Sequence, residues 1–471
     1  MNVNKPNRRE FLSAAGATVA ATSGTAASLA SAKSCVSPAF LQDRKPNFLY
    51  VICDQLGLDA VGAHGCTDVE TPHLDRLIDA GTTFLESHST NPVCSPARSS
   101  LMTGRMPVET GVVTNGRPID PSCPTVGHVL ESAGYDSVYC GKWHLPGPTP
   151  KREDGFRVFP ARGGQGDIDD SAVSRTCEAF LRNRTGDQPY LMVASFLQPH
   201  DICFWGNHVS GRLPEGLPYP EIEGMLPELP PNLRSRPKAP AALDARNAKG
   251  RSDLQWRYYL YIYSRMVEML DADVGRLLTA LEETSQDDNT VVIFTSDHGD
   301  GRGRHEHVSK WYPYDEACKV PLSITCPDRI AARQDSTHLV SGLDIMSTIC
   351  DMADVNPPER LQGRSLKPLL QQDIDVEWRE FVTFDFQQQG HVLRSDQYKY
   401  VQFDGSPIEQ LFDMKSDPWE MTNLYEDANY ATVLADHRKM LTDYNATLRP
   451  ITPTESVERS RPVRPVRPRQ N

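Results

Sequence analysis

Short apolar runs separated by amphipathic stretches mark most of the chain. Residues 47–53 (NFLYVIC) are apolar on both faces of an extended segment, as expected of a fully buried strand. Similar runs occupy residues 137–140, 190–197, 290–295 and 322–325. Between them, helical spacing of apolar residues marks 126–133, 171–182 and 254–283, and Thr71-Pro72 begins a further helix. This alternation predicts an α/β fold in which a large, mostly parallel sheet is covered by helices on both faces.

Polar side chains follow four of these strands where each strand ends. They are Asp54, Lys142 with His144, His200, and Asp297 with His298. In open α/β sheets, ligands bind beyond the carboxyl ends of the strands. The sequence therefore predicts a functional site at that edge of the sheet.

The pattern changes after residue 377. Short β-prone pieces at 381–386, 391–393, 398–403 and 410–414 precede a helix near 430–447. We therefore expect a main domain over residues 45–377 and a smaller antiparallel subdomain over 378–450. The Arg- and Pro-rich tail, 451–471, is predicted to be disordered.

The N-terminus has the pattern of an export signal. Arg8-Arg9 and Phe11 precede a stretch of small residues that ends at a small-x-small cleavage site, residues 30–32. Residues 1–32 thus resemble a twin-arginine signal peptide, which predicts recognition by the twin-arginine translocase and a periplasmic or secreted product. The sequence contains no run of eighteen apolar residues, so it predicts no transmembrane span.

Composition narrows the possible partners. The chain has 471 residues and a formal net charge of −13, which argues against a nucleic-acid partner but not against an anionic substrate in a locally basic cleft. Its 11 cysteines include no C-x-x-C pair of the kind that binds zinc. Only Cys94 lies in a motif that suggests chemistry.

Residues 94–105 read CSPARSSLMTGR, with Cys94 at the start of an expected helix. Without further chemistry, Cys94 would be an inert buried thiol, but a helix N-terminus also suits an anionic nucleophile and a bound sulfate. The segment resembles the C-S-P-A-R-x-x-L-x-T-G-R signature of the sulfatase family, and the resemblance extends over about residues 45–445. It implies an alkaline-phosphatase-like α/β/α sandwich. It also implies that a separate formylglycine-generating enzyme converts Cys94 to formylglycine (3-oxoalanine).

The resemblance further implies one divalent metal at the strand ends. Its ligands would be Asp54, Gln55, the modified Cys94, Asp297 and His298. Gln55 and His298 stand where many sulfatases carry Asp and Asn, so the ligand set has less negative charge. Oxygen ligands favour calcium, while the histidine also admits manganese, and magnesium is a further alternative. Without a metal, an isolated Asp at a strand end would be a cap or turn residue.

Five residues take the family's sulfate-binding and proton-transfer positions: Arg98, Lys142, His144, His200 and Lys310. Lys142 and His144 belong to a G-K-W-H segment, and His200 follows Gln198-Pro199. Each residue alone would more often be a surface charge or a hydrogen-bonded core histidine. Their shared order along the chain favours a site.

These observations predict a sulfuric ester hydrolase that releases sulfate from sulfated carbohydrate. A formylglycine-dependent phosphodiesterase or phosphonate monoester hydrolase is the first alternative, and an inactive protein that binds sulfated glycans is the second. Substrate specificity is expected from residues 206–247 and from the C-terminal subdomain near His391 and Arg394.

Overall fold

The computed structural model describes residues 44–146, 154–159, 164–208, 220–244, 248, 250–327, 329–372, 376–386 and 389–452. The described residues, all from Arg44 onward, belong to one compact unit. The predicted signal peptide and residues 453–471 of the predicted tail lie outside the described residues.

The described chain is built on an eight-stranded mixed sheet in the order β5-β4-β6-β1-β7-β8-β2-β9. Its strands are β1 (Asn47–Asp54), β2 (Thr82–Phe84), β4 (Asp136–Gly141), β5 (Arg157–Phe159), β6 (Tyr190–Pro199), β7 (Thr290–Ser296), β8 (Leu322–Thr325) and β9 (Arg333–Asp335). The first five strands in that order, β5, β4, β6, β1 and β7, are parallel to their neighbours. Strand β8 is antiparallel to both β7 and β2. A short parallel pair, β3 (Ser87–His88) and β10 (Val340–Ser341), lies outside this sheet.

Twelve α-helices are found among the described residues. They are α1 (Pro72–Asp79), α2 (Cys94–Thr103), α3 (Pro107–Thr110), α4 (Val126–Ser132), α5 (Gly166–Asn183), α6 (Ile202–His208), α7 (Ala241–Asp244), α8 (Asp253–Glu283), α9 (Asp315–Cys318), α10 (Asp344–Met352), α11 (Lys367–Leu370) and α12 (Ala431–Thr447). The longest, α8, begins in a capping box in which Ser252 and Gln255 bond each other's backbone N–H. No helix of the described chain is both long and apolar enough to cross a membrane.

Both faces of the central sheet are buried. Along β1, Tyr50 and Ile52 enter a core shared with α2, α4, α10 and α11. Leu49 and Val51 enter a second core shared with α1, α5 and α8. Successive side chains of a strand point to opposite faces, so a continuously apolar strand needs a helix layer on each side. The predicted α/β fold with a doubly covered, mostly parallel sheet is confirmed.

A separate antiparallel sheet follows the central one. Its strands β11 (Phe381–Asp385), β12 (Gly390–Ser395), β13 (Tyr398–Phe403) and β14 (Glu409–Asp413) pair in chain order. Val401 on one face packs with Tyr314 of the central unit, and Leu411 on the other packs with Leu434 of α12. This sheet lies within the predicted C-terminal subdomain, although the domain boundary itself stays a prediction.

A buried ion cluster joins the antiparallel sheet to α9. Lys399 of β13 is fully buried, and its ammonium lies 2.8 Å from Asp315 of α9 and 2.7 Å from Glu420. Removing one partner of such a cluster leaves uncompensated buried charge. The loop before α9 carries Lys310, so this cluster also anchors one margin of the predicted site.

We expect Lys399→Ala to lower the free energy of unfolding by about 3–5 kcal/mol, because the buried Glu420 and the half-buried Asp315 lose their cation. Urea unfolding followed by circular dichroism measures the change. The matched control is Lys415→Ala, since Lys415 forms an exposed pair with Asp396 and should change stability little. Equal effects from the two variants would contradict a supporting role for Lys399.

Candidate active site

Four parallel strands deliver polar residues to one edge of the central sheet. Asp54 ends β1, whereas Lys142, His200 and Asp297 directly follow β4, β6 and β7. The N-terminus of α2 brings Cys94 to the same edge. The structure therefore gathers residues that are up to 243 positions apart, as the strand ends predicted.

Cys94 occupies the first position of α2 and is buried. Its Sγ lies 3.0 Å from Nζ of Lys310, 3.3 Å from Nε2 of His298 and 4.0 Å from a carboxylate oxygen of Asp54. Although burial and Asp54 oppose ionisation, Lys142, Lys310 and His298 hold the pKa of Cys94 well below its usual range. This environment stabilises negative charge on the atom at position 94.

Arg98 lies one helical turn further along α2 and is also buried. Its Nε lies 2.8 Å from Oδ2 of Asp297, and its Nη2 lies 3.0 Å from Oδ2 of Asp54. Nη1 donates to the backbone oxygen of Lys142 at 3.0 Å and to Oγ of Ser195 at 2.8 Å. The guanidinium thus holds both carboxylates in fixed orientations.

Four groups at this edge could hold a metal ion. Ligand atoms of Asp54, Cys94, Asp297 and His298 all lie within 4.8 Å of one another, and all four residues are buried. Nδ1 of His298 lies 2.9 Å from the oxygen of Gly299, which favours a proton on Nδ1 and leaves the Nε2 lone pair for a cation. If Cys94 is modified as predicted, its Sγ marks the position that an oxygen of formylglycine would take. Two carboxylates, one imidazole and such an oxygen would suit a hard divalent cation.

Gln55 has a backbone conformation that presents its amide to the same place. Its φ of 71° is in the left-handed region, which is costly for a non-glycine residue. Its Nε2 donates to Asp300 at 2.6 Å, and its Oε1 accepts from Lys310 at 2.9 Å. Asp300 therefore fixes which end of the amide faces Lys310. The role of Gln55 as a metal ligand stays a prediction.

The site carries more positive than negative fixed charge. Arg98, Lys142 and Lys310 face Asp54 and Asp297, with Nζ of Lys142 only 2.5 Å from Oδ2 of Asp54. Burial opposes ionisation of Asp54, yet Lys142 and the other cations hold its pKa well below the usual range. Burial and the Asp54 charge raise the pKa of Asp297 to about 6. This balance favours an anionic ligand.

The two remaining predicted histidines face a cavity of about 590 Å³ that also exposes Cys94 and Lys310. Nδ1 of His144 is buried and has no hydrogen-bond partner among the described residues. Nε2 of His200 lies 3.9 Å from Asp54, and burial, with Lys310 and Lys142 nearby, lowers the pKa of His200 to about 4. An anion bound beside His200 would raise that pKa. All predicted site residues therefore lie at one edge of the sheet.

Sequence reasoning missed several residues at the site. They are Asn115, Cys203, Arg251, Tyr259 and Asp300. Only Asp300 has a sequence signal, because it follows Asp297 in the same strand-end loop. His305, in the same loop, does not line this cavity, and its Nε2 lies 3.2 Å from Nδ2 of Asn232.

The residues expected to set specificity in the C-terminal subdomain have other partners. His391 pairs with Asp385 at 2.6 Å, and Arg394 pairs with Glu86 at 3.1 Å. Neither residue lines the cavity that exposes Cys94.

Comparison with known proteins decides the family. The sequence matches the family model described as Sulfatase over residues 46–355, which is more than half of the chain. The chain belongs to the sulfatase family. A second model, described as N-sulphoglucosamine sulphohydrolase, C-terminal, matches residues 303–447. As a sulfatase, the protein is a sulfuric ester hydrolase.

Individual sulfatases resemble it over most of their length. It is 30% identical over 432 residues to a Delta 4,5-hexuronate-2-O-sulfatase of Bacteroides thetaiotaomicron, covering 85% of this chain and 89% of that protein. The solved structure of a 2-O GAG sulfatase matches with a TM-score of 0.76 and 27% identity, covering 87% and 95% of the two chains. Phosphonate monoester hydrolase of Agrobacterium radiobacter shares the fold, with a TM-score of 0.72, 24% identity and coverage of 85% and 96%.

We predict that Asp297→Ala abolishes binding of a divalent metal, because it removes a carboxylate from the buried ligand group. Elemental analysis after gel filtration measures bound metal, and the melting temperature with added Ca²⁺ measures binding to the folded state. The control is Asp351→Ala, since Asp351 pairs with Lys367 at the surface. Stoichiometric metal in Asp297→Ala would contradict the assignment.

Proposed function

We propose that this sulfatase releases sulfate from sulfated carbohydrate, with a formylglycine made from Cys94 as nucleophile and one divalent metal, calcium, as cofactor. The proposed metal ligands are Asp54, Gln55, the modified Cys94, Asp297 and His298. The observation that carries the proposal is the position of Cys94, at a helix N-terminus beside two buried carboxylates and an excess of cations.

A formylglycine hydrate supplies one hydroxyl to attack sulfur and a second whose collapse to the aldehyde expels sulfate, and a bound metal supplies Lewis acidity. Attack at sulfur breaks its bond to the sugar oxygen, which leaves with a proton. Lys142 and Lys310 stabilise the charge that spreads over the sulfuryl oxygens, since their ammonium groups are already fixed near Cys94. Arg98 holds the carboxylates beside them.

We assign proton transfer to the two histidines that face the cavity. His144 orients the nucleophile or accepts its proton, and the buried, unpartnered Nδ1 supports a role beyond packing. His200 lines the same cavity, with its Nε2 3.9 Å from Asp54, and is assigned to the departing sugar oxygen.

The carbohydrate substrate is supported by the relatives. The curated relative is named for a hexuronate 2-O-sulfate, and the solved structure is that of a 2-O GAG sulfatase. We therefore propose a sulfated sugar, with a 2-O-sulfated uronate as the first candidate. A cavity of about 590 Å³ falls within the usual range for small-ligand sites.

We further propose that the protein is exported and is matured before export. Residues 1–32 support a twin-arginine signal, and this pathway carries folded proteins. The CSPAR motif at Cys94 supports modification by a formylglycine-generating enzyme in the cytoplasm.

The fold likeness to a phosphonate monoester hydrolase supports one rival activity. Sulfate monoesters and phosphate diesters each carry a single negative charge, so one site can accept both.

We predict that protein co-expressed with a maturation enzyme releases sulfate from 4-nitrocatechol sulfate and from a 2-O-sulfated uronate disaccharide, with higher kcat/KM than for bis(4-nitrophenyl) phosphate. Cys94→Ala should abolish turnover while circular dichroism stays unchanged. Cys66→Ala, a cysteine away from the cavity, is the control. Preferred turnover of the phosphate diester would establish the rival activity instead.

A further inference from the structure

Arg251 lies in the cavity that exposes Cys94 and Lys310, just before α8 begins. Its guanidinium carbon lies 4.9 Å from the ring centre of Trp256 and 5.6 Å from that of Tyr259. Both rings are almost completely buried. A rigid aromatic surface therefore supports a cation at the side of the active-site cavity.

Among the residues that the structure describes, none pairs its carboxylate with the guanidinium of Arg251. Its Nη1 is buried without a hydrogen bond, and none of the described residues forms an ion pair with it. Arg302, by contrast, pairs with Asp59 in the same part of the molecule. Burial lowers the pKa of Arg251, as expected of an uncompensated cation. Arg251 is half-buried, and a buried donor without a partner is costly, so this arrangement favours a ligand that supplies an anion to Nη1.

Asp300 acts electrostatically on Arg251 but is committed elsewhere. Its carboxylate accepts from Nε2 of Gln55 at 2.6 Å, from the hydroxyl of Tyr259 at 3.0 Å and from the backbone N–H of Arg302 at 2.8 Å. Tyr259 thus links the Gln55 side of the site to the aromatic surface under Arg251.

The catalytic cations already have partners at the sheet edge. Arg98 bridges Asp54 and Asp297, and Lys142 pairs with Asp54. Lys310 donates to Gln55 and to Cys94. Arg251 is therefore a further positive charge, placed where another part of the substrate would lie.

We propose that Arg251 binds a second anionic group of the substrate, a carboxylate or another sulfate, and selects sugars that carry one beside the scissile sulfate ester. The inference rests on the proposed function and specifies its substrate class. A guanidinium can bond two oxygens of either group at once, which ammonium groups cannot match in geometry. The rings of Trp256 and Tyr259 support the guanidinium beside the cavity.

The test compares three sulfated sugars with matured protein. A 2-O-sulfated uronate disaccharide carries a carboxylate, a glucosamine with two sulfates carries a second sulfate, and 6-O-sulfated N-acetylglucosamine carries neither. We expect Arg251→Met to lower the ratio of kcat/KM for one anionic sugar over the neutral one by about 30-fold or more, mainly through KM. The sugar whose ratio falls identifies the anion.

Arg251→Lys keeps the charge without the two-pronged geometry and should lower the same ratio less. The control is Arg276→Met, an arginine on α8 that pairs with Glu178 at the surface and should leave all three substrates unaffected. If Arg251→Met fails to fold, the ratio is compared between the wild type and Arg251→Lys. A second comparison measures how tightly unmodified Cys94→Ser protein binds the 2-O-sulfated uronate disaccharide, with and without Arg251→Lys.

The outcomes separate the two proposals. An unchanged ratio in folded Arg251 variants, with normal sulfate release by the wild type, overturns the role of Arg251 alone. Loss of turnover by the same factor on all three sugars overturns it too, because a structural role would act that way. A matured wild type that cleaves no sulfate ester overturns the proposed function instead.

Discussion

The buried contact of Arg98 with Asp54 and Asp297 is the constraint on which the site depends. Two carboxylates at adjacent strand ends repel each other and lose hydration when buried, so neither position is stable without a shared cation. The guanidinium supplies that cation from the first turns of α2. Because Cys94 lies one turn earlier on the same helix, the contact that neutralises the carboxylates also places the nucleophile precursor beside them.

This contact follows directly from the register of the central sheet. Cys53 of β1 pairs with Ser296 of β7, so the next residues, Asp54 and Asp297, emerge side by side. The cores on both faces of the sheet keep these strands in register and press α2 against one side. The positions of Asp54, Asp297 and α2 at this edge therefore depend on the packing of the two cores. Non-glycine residues in the left-handed region, among them Gln55, His144 and Trp311, concentrate at this edge, where strain is commonly tolerated for function.

Much of this arrangement is predictable from sequence because apolar runs mark buried strands and strand ends mark ligand sites. The strands that begin at Asn47 and Thr290 and the CSPAR motif give the fold class and the residues that meet at its edge. The strand β8 is predicted at residues 322–325, but its antiparallel direction is not, since pairing direction leaves no local pattern. The three-residue β2 is not predicted at all. Arg251 escapes prediction for a different reason. Arg251 is of interest because its Nη1 has no hydrogen-bond partner among the described residues and because it lies beside the rings of Trp256 and Tyr259. Both features depend on tertiary contacts, which the sequence does not show.

The most direct test of the account is mass spectrometry of the peptide that contains Cys94, made in parallel with an activity assay on the same preparation. The account predicts that co-expression with a maturation enzyme replaces the thiol by an aldehyde. Sulfate release should rise in proportion to the converted fraction. Full activity in protein whose Cys94 remains an unmodified thiol would contradict it.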